Sequence, residues 1–228
     1  MSKCQQCLIR EFNSLKSLSA DELKTMSEEK DVLAFKKGDV IFEEGNTING
    51  VYCVKHGICK LSKLNANGKE QIVRFIKGGD MLGYRSVLSE EPVTLTVTAL
   101  KDMEACFIPK REILDAIKEN PKFSLDMMKT VCHDLRDANM SLSNMAQKNV
   151  KERLADMLIF LKETFDEDED GYLDIILTRE EISSVIGTAT ESAIRLLSEF
   201  KKKGFIALDG KKVKILDEVG LLRLSQGF

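Results

Sequence analysis

Four polar side chains near the start of one predicted helix have the chemistry to hydrogen-bond to base edges: Thr190, Glu191, Ser192 and Arg195. Arginine can donate to both acceptors of guanine, and glutamate can accept from the amino group of cytosine. The alternative is that Glu191 and Arg195, at positions i and i+4, pair with each other on a solvated helix. The elements that surround these residues decide between the two interpretations.

A first short helix is predicted just before them. Thr178 and Glu181 have the spacing of a capping box, in which each side chain accepts from the other residue's backbone N–H. Gly187 supplies a left-handed stop at the end of this helix.

A second helix is predicted over residues 188–203, because Thr188 and Glu191 repeat the T-x-x-E start signal. Its predicted buried face consists of Ala193, Ile194, Leu197 and Phe200. Two capped helices joined by a tight turn are typical of a helix-turn-helix, whose second helix enters the DNA major groove.

A β-hairpin is predicted directly after these helices. Asp209-Gly210 lies between alternating apolar residues, which is a strong two-residue turn signal. Lys211, Lys212 and Lys214 then lie where a wing meets DNA phosphates, and Lys201–Lys203 add a basic cluster. The predicted DNA-contacting set is Thr178, Arg179, Thr188, Thr190, Glu191, Ser192, Arg195, Lys201 and Lys211.

The 228 residues suit two small domains, and their net charge of -3 excludes a uniformly basic nucleic-acid coat. The basic residues gather in the C-terminal part, directly after the acidic stretch Asp166–Asp170. The sequence shows no apolar run of about 18 residues and no signal-peptide core, which predicts a cytoplasmic protein without a membrane partner. His56 and His133 lie in unrelated segments and no catalytic motif is present, so we expect no enzymatic activity.

The six cysteines do not form a compact disulfide framework in a chain of this length. Four of them, Cys53, Cys59, Cys106 and Cys132, fall in apolar or helical patterns. Cys4 and Cys7 form a C-x-x-C motif that supplies two ligands for a metal or an iron–sulfur cluster, or a redox pair. Structural or incidental thiols are the favoured interpretation.

Residues 9–31 have the apolar spacing of a helix, with a further helix start at Ser19-Ala20-Asp21-Glu22, and from Val32 the period changes to two with regular glycines. Short alternating strands with turn glycines, among them a hairpin at Asn67-Gly68, predict a small antiparallel barrel or sandwich. A short helix from Lys110 and a long one after Pro121 follow.

The long helix carries an apolar seam with spacings of three and four: Leu125, Met128, Cys132, Leu135, Asn139 and Leu142. Such a seam, with a polar Asn that specifies register, favours pairing with a second copy of the chain. The alternative is a helix packed on its own domain. A further helix over 149–165 and a strand over 172–177 lead into the helix-turn-helix.

This order of elements resembles the Crp/Fnr family of bacterial transcription regulators over about residues 9–216. The segments FKKGDVIFEEGNTINGVYCVKHGICKL and GKEQIVRFIKGGDMLG look like that family's cyclic-nucleotide-binding fold, and LTREEISSVIGTATESAIRLLSEFKKKGFI is similar to its helix-turn-helix. The resemblance implies an α+β protein with a jelly-roll (double-stranded β-helix) sensor over 1–119, a dimerisation helix over 120–147 and a winged helix-turn-helix over 148–228. It also implies a homodimer on a two-fold-symmetric operator, Glu191 and Arg195 as base-reading residues, and RNA polymerase as a partner.

The predicted effector pocket consists of Gly83, Tyr84, Arg85, Thr94 and Thr96. Members of the family that bind cyclic AMP have a Glu after the pocket glycine and an Arg-Ser about ten residues later. Here Tyr84 takes the first place, the later segment lacks a basic residue, and Arg85 lies beside the tyrosine. The sequence therefore predicts that cyclic AMP is not the effector, because a buried phosphate needs a neutralising group.

Two alternatives stay open. Iron–sulfur members place several cysteines near the N-terminus and one in the roll, and Cys4 and Cys7 would need Cys106 or Cys59 in an unusual combination. From a different class comes a cyclic-nucleotide-binding regulatory module of a kinase or channel, which need not end in a winged helix-turn-helix.

Overall fold

The computed structural model describes residues 7–66 and 68–227, which divide into two units. The first unit comprises the chain up to residue 63 together with 73–137, and the second comprises 64–72 together with 138–228. The three-part division predicted from the sequence, at 119/120 and 147/148, stays a prediction.

Two four-stranded sheets carry the N-terminal half, in the strand orders β1-β8-β3-β6 and β2-β7-β4-β5. The strands are β1 Asp31–Phe35, β2 Val40–Phe42, β3 Gly50–His56, β4 Ile58–Leu64, β5 Glu70–Lys77, β6 Met81–Leu82, β7 Thr96–Ala99 and β8 Met103–Pro109. Alternate residues from both sheets, such as Val54, Val97 and Ala105, are fully buried in one apolar cluster. This arrangement confirms the predicted β-roll.

Helices cover one side of the roll and share a second apolar cluster with it. They are α1 Ala20–Glu29, α2 Tyr84–Ser89, α3 Lys110–Glu119 and the first turns of α4 Pro121–Gln147. From α4, Phe123 and Met127 are buried in this cluster. The residues of the predicted seam on α4 are exposed and lie outside this cluster.

The helix predicted over residues 9–31 is divided into three pieces, so that prediction was partly wrong. Two short 3-10 turns, Leu8–Phe12 and Ser14–Ser17, precede α1. The chain breaks at Asn13, which has an extended backbone and whose side chain accepts from Leu15 N. It breaks again before α1, where Ser19 and Glu22 form a capping box. Local polar caps thus override the apolar spacing.

Over its described residues, the second unit contains four further helices and one hairpin: α5 Val150–Thr164, α6 Arg179–Ile186, α7 Thr190–Lys202, α8 Glu218–Ser225, β9 Ile206–Asp209 and β10 Lys212–Ile215. Its core includes Leu154 and Leu158 from α5, Ile182 from α6 and Phe200 from α7. The ring of Phe200 meets that of Phe205 edge-on, with centroids 5.7 Å apart.

The strand predicted over residues 172–177 is present only as an extended segment. Leu173, Ile175 and Leu177 are buried, so the predicted alternation is correct. Leu173 N donates to Val213 O over 2.9 Å, and one isolated bridge joins Leu173 to Glu167. Of the hairpin turn predicted at Asn67-Gly68, Asn67 lies outside the described residues, and Gly68 has a φ of +76°.

Candidate nucleic-acid interface

The first helix of the predicted helix-turn-helix begins and ends as its sequence indicates. Thr178 Oγ1 accepts from Glu181 N over 3.1 Å, and a carboxylate oxygen of Glu181 accepts from Thr178 N over 2.8 Å. Gly187 ends α6 with a φ of +63°, a left-handed conformation that favours glycine. The first predicted capping box is confirmed.

The second predicted capping box was wrong. Ala189 precedes α7 as its N-cap residue, and no side chain caps this helix. Thr188 N instead donates to Ser183 O over 3.0 Å, which satisfies a carbonyl at the end of α6. The chain between the two helices is thus used to close α6, and α7 begins only at Thr190.

Helix α7 has one buried face and one exposed face. Ala193, Leu197 and Phe200 are buried at spacings of four and three, which is the period of a single helical stripe. Ile194 was predicted in this stripe, but it lies one residue further round the helix and its side chain is 45% exposed. That prediction was wrong.

The exposed face presents Glu191 and Arg195 to solvent. Within the described part of the chain, neither side chain forms an ion pair or a hydrogen bond. The i,i+4 pair that was the alternative interpretation of these residues is therefore not formed. Their donor and acceptor groups are available to an external partner.

Arg179, at the start of α6, connects this helix to the wing. Its Nη2 donates to Gly210 O in the turn between β9 and β10 over 2.8 Å, and burial lowers the pKa of its guanidinium. Lys201 reaches the same hairpin, with Nζ 3.5 Å from Leu208 O. Arg179 is therefore placed to fix the position of the wing, in addition to the DNA contact predicted for it.

Lys212 and Lys214, two of the wing lysines predicted to meet DNA phosphates, form contacts within the protein instead. Lys212 Nζ lies 2.7 Å from a carboxylate oxygen of Asp168 and 5.6 Å from the centre of the Tyr172 ring. Lys214 Nζ donates to Asp170 O over 2.7 Å. The hydrogen bond from Lys212 lowers the pKa of Asp168. Asp168 and Asp170 of the acidic stretch Asp166–Asp170 thus bind these two lysines. Lys211, in the turn of the hairpin, is exposed.

The predicted DNA-contacting set therefore divides in two. Glu191, Arg195, Lys201 and Lys211 are exposed. The remaining members are partly buried: Thr178, Arg179, Thr188, Thr190 and Ser192. Thr190 Oγ1 lies 3.2 Å from the hydroxyl of Ser183, so this side chain helps to hold α7 on α6.

A contact that the sequence did not predict holds α6 within the second unit. Ser184 is buried, and its hydroxyl donates to Glu70 O over 2.7 Å and accepts from Ile72 N over 2.9 Å. Gln71 Nε2 also donates to Val185 O over 3.3 Å. No local pattern in the sequence indicated this contact, because Ser184 and its partner Ile72 lie 112 residues apart in the chain.

The predicted effector-pocket residues do not form a cationic pocket. Gly83 precedes α2 with a φ of +82°, and Tyr84 is buried. Arg85 is exposed and lies 3.0 Å from a carboxylate oxygen of Glu91. Thr94 is exposed, whereas Thr96 accepts a hydrogen bond from Glu44 N over 3.1 Å.

The tyrosine instead takes part in a polar cluster that the sequence analysis missed. Its hydroxyl donates to Asp134 on α4, and Arg74 Nη1 on β5 lies 2.5 Å from the other oxygen of that carboxylate. Burial, together with the hydrogen bond to Asp134, raises the pKa of Tyr84. Two features of the sequence could have indicated this cluster: Arg74 lies inside an otherwise apolar strand, and Asp134 lies beside the seam.

The cysteines of the alternative interpretation are only partly described. Cys4 lies outside the described residues, and Cys7 is partly buried. Cys106 and Cys59 are buried in different apolar clusters, and burial raises the pKa of Cys59 to about 12. Over residues 7–66 and 68–227, no group of three or more His, Cys, Asp or Glu side chains is arranged to hold a metal ion.

The seam of α4 lies on a different face from the residues that pack on the roll. Phe123 and Met127 are buried, whereas every residue of the predicted seam is exposed: Leu125, Met128, Cys132, Leu135, Asn139 and Leu142. Leu135 is 60% exposed and Leu142 70%. The fold of the single chain therefore makes no use of this stripe.

Comparison with known proteins agrees with this architecture. Residues 32–120 match the cyclic nucleotide-binding domain and residues 152–224 match the Crp-like helix-turn-helix domain. The transcriptional activator protein anr of Pseudomonas aeruginosa is 26% identical over 98% of this chain and 93% of its own length. The chain belongs to the Crp/Fnr family of transcription regulators.

Two further similar proteins extend the comparison. The CRP-like cAMP-activated global transcriptional regulator of Mycobacterium tuberculosis is 27% identical over 84% of this chain and 87% of its own length. FixK2 of Bradyrhizobium japonicum has the same fold, with a TM-score of 0.76 and 21% identity over 86% of this chain and 96% of that chain. The family and the α+β fold predicted from the sequence are thus confirmed, and this Crp/Fnr protein is a transcription regulator with a helix-turn-helix DNA-binding domain. None of the described helices is long and apolar enough to span a membrane.

Proposed function

We propose that this Crp/Fnr regulator binds DNA as a homodimer, and that α7 of each subunit lies in the major groove of a two-fold-symmetric operator. The observation that carries the proposal is the exposed face of α7, where Glu191 and Arg195 have no partner among the described residues. Arg195 would donate to guanine and Glu191 would accept from cytosine. Two such helices about 34 Å apart would read half-sites one helical turn apart.

The exposed seam of α4 supports pairing of two chains. Isolated exposed apolar residues are common on protein surfaces, but these residues repeat at spacings of three and four along one stripe. Asn139 lies in the stripe and would fix the register of the two helices. By its resemblance to the family, the dimer would act on RNA polymerase in the cytoplasm, where the chromosome is.

The sensor roll, we propose, does not use cyclic AMP. Tyr84, a residue of the predicted pocket, is bound to Asp134, while Arg85 is paired with Glu91 on the surface. A cyclic phosphate would then lack the neutralising group that its burial requires. Calorimetric titration of the full-length protein with cyclic AMP tests this point, and a saturable heat of binding would contradict it.

A binding-site selection with the full-length protein tests the DNA contacts. We expect the selected sites to be two-fold symmetric and Arg195→Ala to lose preference for one guanine per half-site, at about 1–3 kcal/mol each. Arg223→Ala is the matched control, because Arg223 is an exposed arginine of α8 in the same unit. Unchanged sequence preference in Arg195→Ala would show that the assigned contact is wrong.

A further inference from the structure

Ile194 is a large apolar side chain on the face of α7 that we assign to DNA. It is 45% exposed, whereas its neighbour Ala193 is fully buried. Residues at i, i+3, i+4 and i+7 share one helix face, so Ile194 lies with Glu191, Arg195 and Ser198. These three neighbours are all exposed and polar. Ile194 is therefore the apolar member of the stripe that carries the proposed base contacts.

The chemistry of the major groove indicates what this side chain meets. Base edges offer hydrogen-bond donors and acceptors there, and the apolar group among them is the C5-methyl of thymine. An isoleucine would leave any donor or acceptor opposite it without a partner, which is costly once water is excluded. Its branched side chain is stiff at χ1, so little rotamer freedom is lost when it is packed against a fixed surface.

We propose that Ile194 is a specificity-determining residue, which selects thymine in each half-site by packing on the C5-methyl group. The inference rests on the proposed function, since it requires α7 to lie in the major groove. It adds an apolar contact to the two polar ones, at a position between them on the helix.

The test removes the methyl group without changing any hydrogen bond. In the operator obtained by selection, one thymine position at a time is changed to deoxyuridine, at the equivalent place in both half-sites. The Kd of the full-length protein is measured for each such operator. We expect one position at which the loss of the methyl groups weakens binding by about three- to five-fold per half-site. This ratio corresponds to the free energy gained when one methyl or methylene group is removed from water. Ile194→Ala should bind the unmodified operator more weakly and respond little to deoxyuridine at that position.

Ile176→Ala is the matched control, because Ile176 is an exposed isoleucine of the same unit that lies outside α7, with 37% exposure. This variant should keep the deoxyuridine response of the parent protein. If every deoxyuridine is neutral, or if Ile194→Ala keeps the response, the inference is wrong while the proposed function stands. If the selection enriches no duplex at all, the proposed function itself fails.

Discussion

At the residue scale, Glu199 connects two helices of the DNA-binding unit through one carboxylate. Its Oε1 lies 2.5 Å from Lys151 Nζ on α5 and 2.9 Å from Lys203 Nζ at the end of α7. The hydrogen bond from Lys151, followed by that from Lys203, lowers the pKa of Glu199 to about 2. These ion pairs hold the C-terminal end of α7, while its N-terminal half carries the proposed base contacts.

We predict that Glu199→Gln lowers the melting temperature at neutral pH and that this loss shrinks as the pH falls from about 4.5 toward 2. The folded-state pKa is below the ordinary value of 4.5, so the ion pairs stabilise fully above that pH and their contribution is lost as the pH falls toward 2. Because Glu199 is partly exposed, the effect at neutral pH should be about 0.2–1 kcal/mol per pair. Melting curves of both proteins from neutral pH down to about pH 3 check it, and a pH-independent difference would contradict it.

At the scale of elements, the two T-x-x-E sequences of the helix-turn-helix differ in what they do. Thr178 caps α6, whereas Thr188 lies before the N-cap residue of α7 and its N–H closes the preceding helix. The same sequence signal therefore has two different structural roles. A capping box at Thr188 would need the backbone N–H of Thr188 to donate to Glu191, but this N–H donates to Ser183 O at the end of α6.

Paired substitutions measure this difference. We predict that Thr178→Ala destabilises the DNA-binding unit by about 1 kcal/mol, the usual loss of an N-cap. Since 1 kcal/mol shifts the melting temperature of a domain of this size by about 4–8 °C, the loss is measurable by thermal unfolding. Thr188→Ala should shift it by much less, because that side chain caps no helix. Equal losses in the two variants would contradict the assignment of the caps.

Most of the helices and strands could be predicted from the sequence, because hydrophobic periodicity and the residues that end each element are read from short stretches of the chain. Asn120-Pro121 separates α3 from α4, and Asp209-Gly210 turns β9 into β10. Glu191 and Arg195 were likewise proposed as base-contacting residues from residue type and helical spacing, and that assignment stays a prediction. Ile194 was misplaced because an apolar residue next to a buried stripe has the same local pattern whether it lies in the core or outside it.

Contacts between residues that are far apart in the chain could not be predicted from these local patterns. Tyr84 and Asp134 are 50 residues apart, and Ser184 and Ile72 are 112 apart. No periodic pattern connects these positions, because each partner follows the rules of its own element. The pocket chemistry and the fixing of α6 therefore became visible only with the fold.

At the scale of the whole molecule, the seam of α4 predicts the oligomeric state. Leu135→Asp should split the proposed homodimer, because pairing would bury two unpaired carboxylates. Light scattering should then report the mass of one chain, and affinity for a two-fold-symmetric operator should fall with it. Met140→Asp is the matched control: Met140 is also exposed on α4, at 58%, but lies outside the seam. A dimer that survives Leu135→Asp would show that the seam is not the interface.

The internal pairing of the lysines has a consequence for how the regulator responds to ionic strength. Lys151 and Lys203 share Glu199, Lys162 lies 2.8 Å from Glu218, and Lys212 lies 2.7 Å from Asp168. When DNA is bound, small cations condensed on the duplex are released in proportion to the phosphates that the protein neutralises. Lysines already occupied by carboxylates add little to that number. The operator affinity should therefore decline with added electrolyte less steeply than the count of basic residues around the helix-turn-helix suggests.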